Sequence, residues 1–347
     1  MNDSPFLLGA TADVGWLSKK SADQPIVREC FLAVEGGEVR GGFVLRKQDF
    51  ILDGQVRTAC NYQGPISEGI WDRRFALLGV QMLRAALRQE PLLYCLGMGN
   101  REQPLPKLLS AAGWPITEVP FRFKVVESGA FLREMRVFKK NRLLKWLSQA
   151  GRFSGLGQAG IAAYQGIRGG WNREAGLKVS IVHEFGDWCD GIWTESREAN
   201  RFTAVRDRNS QNCLFVRFPG KNLILRMENS ERVVGWAVVR ATQMEGDKYF
   251  GNLRVGSLVD CMCLNGSERD VIDGAERTLR GLGCQLILSN QTQDAWLAGM
   301  DRNGWLSGPS NFLISLSPQL AKLVGDFSES LGRLHFNRAD GDGPIHL

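Results

Sequence analysis

The chain states one pattern twice, in the same order and at nearly the same spacing. The first copy opens on Gly41-Gly42-Phe43-Val44-Leu45-Arg46, continues through an amphipathic helix expected over about 72–88, and reaches an apolar strand over 92–96 that leads to Asn100. It closes with a short helix ending at Gly113-Trp114 and a strand beginning at Phe121. The second copy reads Gly235-Trp236-Ala237-Val238-Val239-Arg240, a helix over about 268–282, a strand over 285–288 leading to Asn290, a helix to Gly304-Trp305 and a strand beginning at Phe312. Asn100 and Gly113 are 13 residues apart and Asn290 and Gly304 are 14, while the glycine-to-phenylalanine step is 8 in both. Self-similarity of this length marks a duplicated structural unit and decides the architecture before any single residue does. The expected fold class is α/β, in the α+β sense of a mixed sheet: two tandem domains, each a central mixed β-sheet flanked by helices. A chain of 347 residues suits two cores of about 100–200 residues. The expected boundaries are 1–130, a connector over 131–175, and 176–347.

Within a repeat, two or three antiparallel strands precede a strand–helix–strand–helix–strand run. Strands over 30–34 and 39–46 flank Glu35-Gly36-Gly37-Glu38, a hairpin signal, and a strand over 57–64 follows. Phe75, Leu78, Met82, Leu83 and Ala86 then fall on one helical face. A helix that emerges from a sheet after a polar turn offers unpaired N–H groups and the positive end of its dipole to an anion. In the second repeat Asn265-Gly266-Ser267 reads as a helix cap, and Glu268 and Asp270 in the first turn would repel phosphate there.

Composition narrows the function. A hydrophobic fraction of 44% and a charged fraction of 23% are ordinary for a soluble globular protein. No apolar run approaches a membrane span, and Met1-Asn2-Asp3-Ser4 lacks the marks of a secretory signal. Eight dispersed cysteines and three histidines (His183, His335, His346) make poor disulfide or zinc frameworks, so no metal and a reduced cytoplasmic setting are expected. Nine of the cations lie between Arg122 and Arg152, at the join of the repeats, against Glu127 and Glu134. Val137, Phe138, Leu143, Leu144, Trp146 and Leu147 add an apolar face there, and seven glycines follow between Gly151 and Gly170. The stretch reads either as a solvated linker helix or as a peripheral contact of residues 133–147 with the inner membrane face. Nucleic acid is disfavoured, because basic and aromatic residues do not interleave beyond this segment.

The order of elements resembles the GNAT acyltransferase superfamily, twice over. That family holds the pyrophosphate of acyl-CoA on backbone amides at Arg/Gln-x-x-Gly-x-Gly/Ala, at the start of the helix after its fourth strand. The matching stretch is Arg74-Phe75-Ala76-Leu77-Leu78-Gly79, with Leu77 where the family has glycine. Asn100 and Gly113-Trp114 resemble the fifth strand and the turn after the last helix. Arg206-Asp207 and Leu214-Phe215-Val216-Arg217-Phe218 look like tandem GNAT proteins found with bacterial exopolysaccharide genes; Val259-Asp260 and the run from Phe336 through Asn337, Arg338 and Asp340 to Asp342 look like the same group and like FemAB-type transferases.

The resemblance implies transfer of an acyl group from acetyl-CoA or another acyl-CoA to an amine of a small molecule or cell-surface saccharide precursor, received in the cleft between the repeats. The implied donor residues are Arg74, Ala76, Leu77, Leu78, Gly79 and Asn100. Acyl transfer to an amine needs a base, donors for the oxyanion and a proton for the thiolate. Tyr62, Glu68 and Asp260 are the catalytic candidates, set against a packing role for Tyr62, a solvated turn for Glu68 and a cap or salt bridge for Asp260. The family's usual tyrosine acid is replaced by Leu109 and Met300. That loss keeps open an inactive GNAT-like binding protein, and the basic join keeps open a FemAB-like aminoacyl transfer.

Overall fold

The computed structural model describes residues 24–134, 176–216 and 222–341. Arg136 onward in the basic stretch, the glycine run that follows it, Arg217, Phe218 and Asp342 lie outside these residues, and with them nearly all of the expected membrane-facing segment 133–147.

The first repeat comprises β1 (Ile26–Glu35), β2 (Glu38–Leu52), β3 (Gln55–Ser67), α1 (Leu78–Gln89), β4 (Leu93–Leu96), α2 (Pro104–Ala111), β5 (Ile116–Glu118), β6 (Phe121–Val125) and α3 (Ser128–Glu134). The second begins with β7 (Lys178–Val182), α4 (Asp187–Ser196), β8 (Phe202–Ala204) and α5 (Arg208–Phe215). It continues with β9 (Asn222–Glu228), β10 (Val233–Gln243), β11 (Arg254–Cys263), α6 (Glu268–Gly281), β12 (Leu286–Asn290) and α7 (Asp294–Arg302). The last elements are β13 (Leu306–Gly308), β14 (Leu313–Leu316), α8 (Pro318–Val324), α9 (Phe327–Ser330) and β15 (Leu334–His335).

These elements form two compact units, each around a mixed sheet. The first unit takes residues up to Glu118 together with Arg201–Val205 and Asn311–Leu331; the second takes Val119–Asn200, Arg206–Ser310 and the chain from Gly332. The cuts do not fall where the repeats meet, because the last strand of each repeat joins the sheet of the other. In the first unit the order is β8-β2-β3-β4-β14-β5, with β1 also on β2; in the second it is β13-β6-β12-β11-β10-β9-β7. β14 lies antiparallel to β4, Ile314 opposite Leu96, and β6 lies antiparallel to β12, Ile287 opposite Lys124. Two of the cations counted at the join therefore belong to β6. Arg122 Nε donates to Asp301 at 2.8 Å, and the buried Lys124 ammonium donates to the Asn303 carbonyl and lies 3.7 Å from Glu276. Burial holds the Lys124 ammonium below the usual lysine range, against the opposing pull of Glu276.

Local chemistry accounts for the repeated landmarks. Gly36 and Gly37 both take positive φ (59° and 82°), as a two-residue type I′ hairpin turn requires. Gly113 and Gly304 close α2 and α7 in the same Schellman motif. Trp114 N donates to Leu109 O and Gly113 N to Ser110 O; Trp305 N donates to Met300 O and Gly304 N to Asp301 O. Each buried tryptophan shares its core with the apolar residue whose carbonyl it caps, Leu109 or Met300, so those positions serve packing.

Gly41 and Gly235, the first residues of the repeated run, let a helix close on the sheet. A Cβ on Gly41 would lie 2.7 Å from the Ile66 carbonyl and 3.1 Å from Met82 Sδ; on Gly235 it would lie 2.6 Å from Val271 Cγ2. We expect Gly235→Ala to cost about 1–3 kcal/mol by overpacking, read from urea unfolding.

The first long helix starts later than its periodicity suggests. It begins at Leu78 rather than near Asp72, after two short 3₁₀ turns at Glu68–Ile70 and Arg73–Phe75. Asp72 caps the second turn by accepting from Arg74 N, and Gly69 lets the Phe75 carbonyl come within 2.2 Å of where a Cβ would stand. In the second unit the expected Ser267 cap is absent: its side chain makes no capping bond.

Candidate active site

Both sheets part along a parallel pair of strands. In the first unit β3 pairs with β4 only through Cys60–Leu93 and Asn61–Tyr94. Both strands then run on, β3 bonded to β2 as far as Ser67 and β4 to β14 at Cys95 and Leu96. In the second unit β11 and β12 pair through Ser257–Leu288, after which β11 follows β10 to Cys263 and β12 follows β6 to Asn290. In each case β3 or β11 carries a register break against its antiparallel neighbour near the opening, between Gly42 and Val44 in one and Val238 and Val239 in the other. A bulge increases local twist, which is how two strands bonded on their outer sides come to part on their inner ones.

In the first unit, Tyr62 is the first β3 residue past the opening. It is 2% exposed, packs 5.2 Å from the Phe43 ring, and its hydroxyl finds no hydrogen-bond partner among the described residues. Burial raises its pKa far above the ordinary tyrosine value, so the group stays protonated at neutral pH and can donate a hydrogen bond but not accept a proton as a base. The Cys95 thiol reaches across the gap to the Tyr62 carbonyl at 3.3 Å, where a backbone N–H would otherwise stand.

The turn from β3 to α1 lies just beyond. Glu68 is held by Arg40, Nη1 to Oε2 at 3.2 Å, so it is an ion-paired turn residue. Arg74 is exposed and pairs with Asp72 at 2.6 Å, and its guanidinium lies 5.7 Å from the Phe75 ring centre. Leu77, which stands where a phosphate loop would have glycine, is 69% exposed, so its side chain turns outward instead of filling the turn. Ala76 closes the second 3₁₀ turn, and Leu77 is a helical N-cap with no side-chain capping bond. The first bond of α1 runs from Gln81 N to Leu77 O, so the amides of Leu78, Gly79 and Val80 precede the helical ladder. No acid occupies that first turn, whereas α6 begins with Glu268 and Asp270. A Cβ on Gly79 would meet only Leu108 Cδ2 at 3.7 Å, an ordinary contact. Asn100 accepts from Glu102 N in the loop before α2 and so shapes that loop.

The second unit gathers residues that the sequence scatters over more than a hundred positions. Arg206 is 1% exposed and donates to Asp260 Oδ1 at 2.9 Å and Asp340 Oδ2 at 2.7 Å. Asp260 Oδ1 also accepts from Asn337 Nδ2 at 2.6 Å and from Cys261 N, and Asp340 Oδ2 accepts from Asn337 N. Burial works to lower the pKa of Arg206, and the two carboxylates overcome it and raise it above the usual arginine value. Asp260 is thus the centre of a closed ionic clamp, the salt-bridge role weighed for it above. Next to the clamp, Arg338 donates to Asn290 Oδ1 at 3.1 Å. His335 is fully buried and held neutral by burial and then by Arg206, its Nδ1 with no partner among the described residues.

No group of three or more metal-ligating side chains occurs among the described residues, and no helix there is long and apolar enough to cross a membrane. All eight cysteines are free thiols.

No family model matches the sequence, and no curated protein matches it. Solved structures do. A conserved protein of unknown function from Enterococcus faecalis V583, described as a probable N-acyltransferase, superposes with a TM-score of 0.51 at 8% identity, over 86% of this chain and 64% of that one. The chain shares the fold of that probable N-acyltransferase. Saccharomyces cerevisiae N-myristoyltransferase with bound myristoyl-CoA is similar at a TM-score of 0.49 and 7% identity, over 82% of this chain and 64% of that one. A GCN5-related N-acetyltransferase from Anabaena variabilis ATCC 29413 is similar at 0.49 and 7%, over 82% and 62%. This chain therefore spans less than two thirds of the length of these structures.

Proposed function

We propose that the protein is an acyl-CoA-dependent N-acyltransferase whose donor lies in the first unit. The observation that carries this reading is the opened β3–β4 pair, with Tyr62, whose hydroxyl has no hydrogen-bond partner among the described residues, just past the last paired residue, and the uncapped start of α1 following. The amides of Leu78, Gly79 and Val80, at the positive end of a 12-residue helix without a first-turn acid, would take the donor's diphosphate. The pantetheine arm would lie along the parted strands in place of a third strand-to-strand pairing. Tyr62 would then donate a hydrogen bond to the oxyanion, and the thiolate leaves as such. Arg74 would exchange its Asp72 partner for a phosphate oxygen. The mirrored opening in the second unit lacks this electrostatic preference, because Glu268 and Asp270 stand at the head of its helix.

Isothermal titration with acetyl-CoA and a long-chain acyl-CoA tests the donor site. Gly79→Ala adds a methyl that the fold accommodates, and it gains up to about 1 kcal/mol of helix propensity. It should therefore keep or raise Tm while weakening acyl-CoA binding by about tenfold or more, the loss expected when charge-assisted amide contacts are forced apart. An unchanged Kd in that variant removes the diphosphate from α1. Absence of heat with the wild-type chain for both donors favours the non-catalytic reading, which the apolar Leu109 and Met300 support. The acceptor is taken to be an amine.

A further inference from the structure

The outward face of α1 is cationic and carries no acid. Leu77, Gln81, Arg84 and Arg88 recur at helical spacing and are all exposed, whereas Met82, Leu83 and Ala86 on the other side are buried. The helix has no acid from Leu78 to Gln89, and the guanidiniums of Arg84 and Arg88, one turn apart, make no hydrogen bond or ion pair among the described residues. The acids that flank the helix are engaged by other cations: Glu68 by Arg40, Asp72 by Arg74 and Glu90 by Lys47. The twin helix α6 is built the other way. There Arg277 pairs with Asp273 and Arg280 with Glu276, each four residues away. Like charges at that spacing weaken a helix, so the bare arginine pair does nothing for α1 itself.

An apolar group stands at the head of the same helix. Ile70, Trp71 and Leu77 are 58%, 57% and 69% exposed, three large apolar side chains within eight positions. The turn doubles back, with Ala76 Cα 3.1 Å from where a Cβ on Gly69 would stand, which brings Ile70 and Trp71 to the end of the helix where Leu77 sits. Arg73 lies in that turn, exposed, its guanidinium without a hydrogen bond or ion pair among the described residues. Single exposed apolar side chains are ordinary on a protein surface, but a group of them beside unpaired arginines marks an interaction surface. A nucleic-acid backbone would take the arginines and has no apolar layer for isoleucine and leucine. A bilayer with anionic headgroups takes both. Aliphatic side chains enter its acyl boundary, an indole sits at headgroup level, and arginines meet the lipid phosphates.

We propose that the turn over 70–77 and the outward face of α1 form a docking surface for an anionic bilayer. Ile70, Trp71 and Leu77 enter the bilayer, and Arg73, Arg84 and Arg88 rest on its headgroups. The surface is distinct in sequence from the basic stretch over 133–147 and does not depend on acyl transfer.

The test is co-sedimentation of the full chain with vesicles of phosphatidylcholine, alone or mixed with phosphatidylglycerol. The wild type should bind the mixed vesicles, and less so as salt is raised. Arg84→Gln combined with Arg88→Gln should weaken that binding about 25-fold, roughly fivefold for each arginine lost at a charged surface. Ile70→Ser combined with Trp71→Ser should weaken it by about tenfold or more. All four positions are exposed, so both variants are expected to fold, and their circular dichroism checks this. The arginine variant should keep or raise Tm, because it relieves a repulsion. A wild type that stays in the supernatant with both kinds of vesicle, or an arginine variant that sediments as the wild type does, overturns the surface. Binding of a single-stranded oligonucleotide instead of vesicles, lost in the arginine variant, assigns the face to nucleic acid and overturns the bilayer. Failure here with acetyl-CoA binding intact leaves the donor reading standing. Vesicle binding without acetyl-CoA binding does the reverse.

Discussion

Replacing Arg206 by methionine should destabilise the second unit by about 3–5 kcal/mol, a large share of the roughly 5–15 kcal/mol that holds a typical domain together. Arg206, Asp260 and Asp340 are respectively 1%, 1% and 3% exposed, so removing the cation takes from two buried carboxylates the guanidinium that engages both. The cost is that of orphaned charges, not the net worth of the pairs, and a compensated variant separates the two. Arg206→Met combined with Asp260→Asn and Asp340→Asn removes all three charges. It keeps the acceptor oxygens that Cys261 N and Asn337 N require. Urea unfolding should show most of the loss recovered in that triple variant. If Arg206→Met alone unfolds at the wild-type denaturant midpoint, the clamp is not the brace we describe.

The second large effect is expected at Tyr62. Tyr62→Phe should lower kcat by about 10²–10³-fold, the range for removing one positioned hydrogen-bond donor. The same change should leave stability unaltered or raise it by about 1 kcal/mol, because the hydroxyl it removes is buried without a partner among the described residues. A purely structural tyrosine would give the same stability but leave kcat unchanged. Because the group stays protonated, no loss of rate traceable to its ionisation should occur between pH 6 and about pH 9. Steady-state rates with a free thiol readout decide the point, and full activity in a stable Tyr62→Phe enzyme would exclude the hydroxyl from the chemistry.

Much of the fold was legible because its signals are local. The Gly36-Gly37 hairpin, the paired Gly-Trp helix ends and the crossover helices each follow from backbone rules acting over a few residues. The start of α1 departs from its periodicity for a related reason. Phe75 fits the helical stripe, but the Asp72 side chain and the close approach at Gly69 hold that stretch in 3₁₀ turns. Candidate residues fared according to how far their roles depend on distant partners. Arg206, Asp260, Asn337 and Asp340 drew attention separately, yet nothing in their spacing announces that they form one clamp.

By itself the sequence determined that this protein is a doubled mixed α/β fold, since periodicity, turn glycines and caps act within a few residues and were copied with the repeat. Tertiary structure alone decided which sheet receives each closing strand, where the sheets part and which charges are shut away together. β6 and β14 are as well suited by pattern to one sheet as to the other. Their placement follows from edge pairing with β12 and β4, and for β6 also from burial of Lys124 beside Glu276, energies between groups that the chain keeps far apart until it folds.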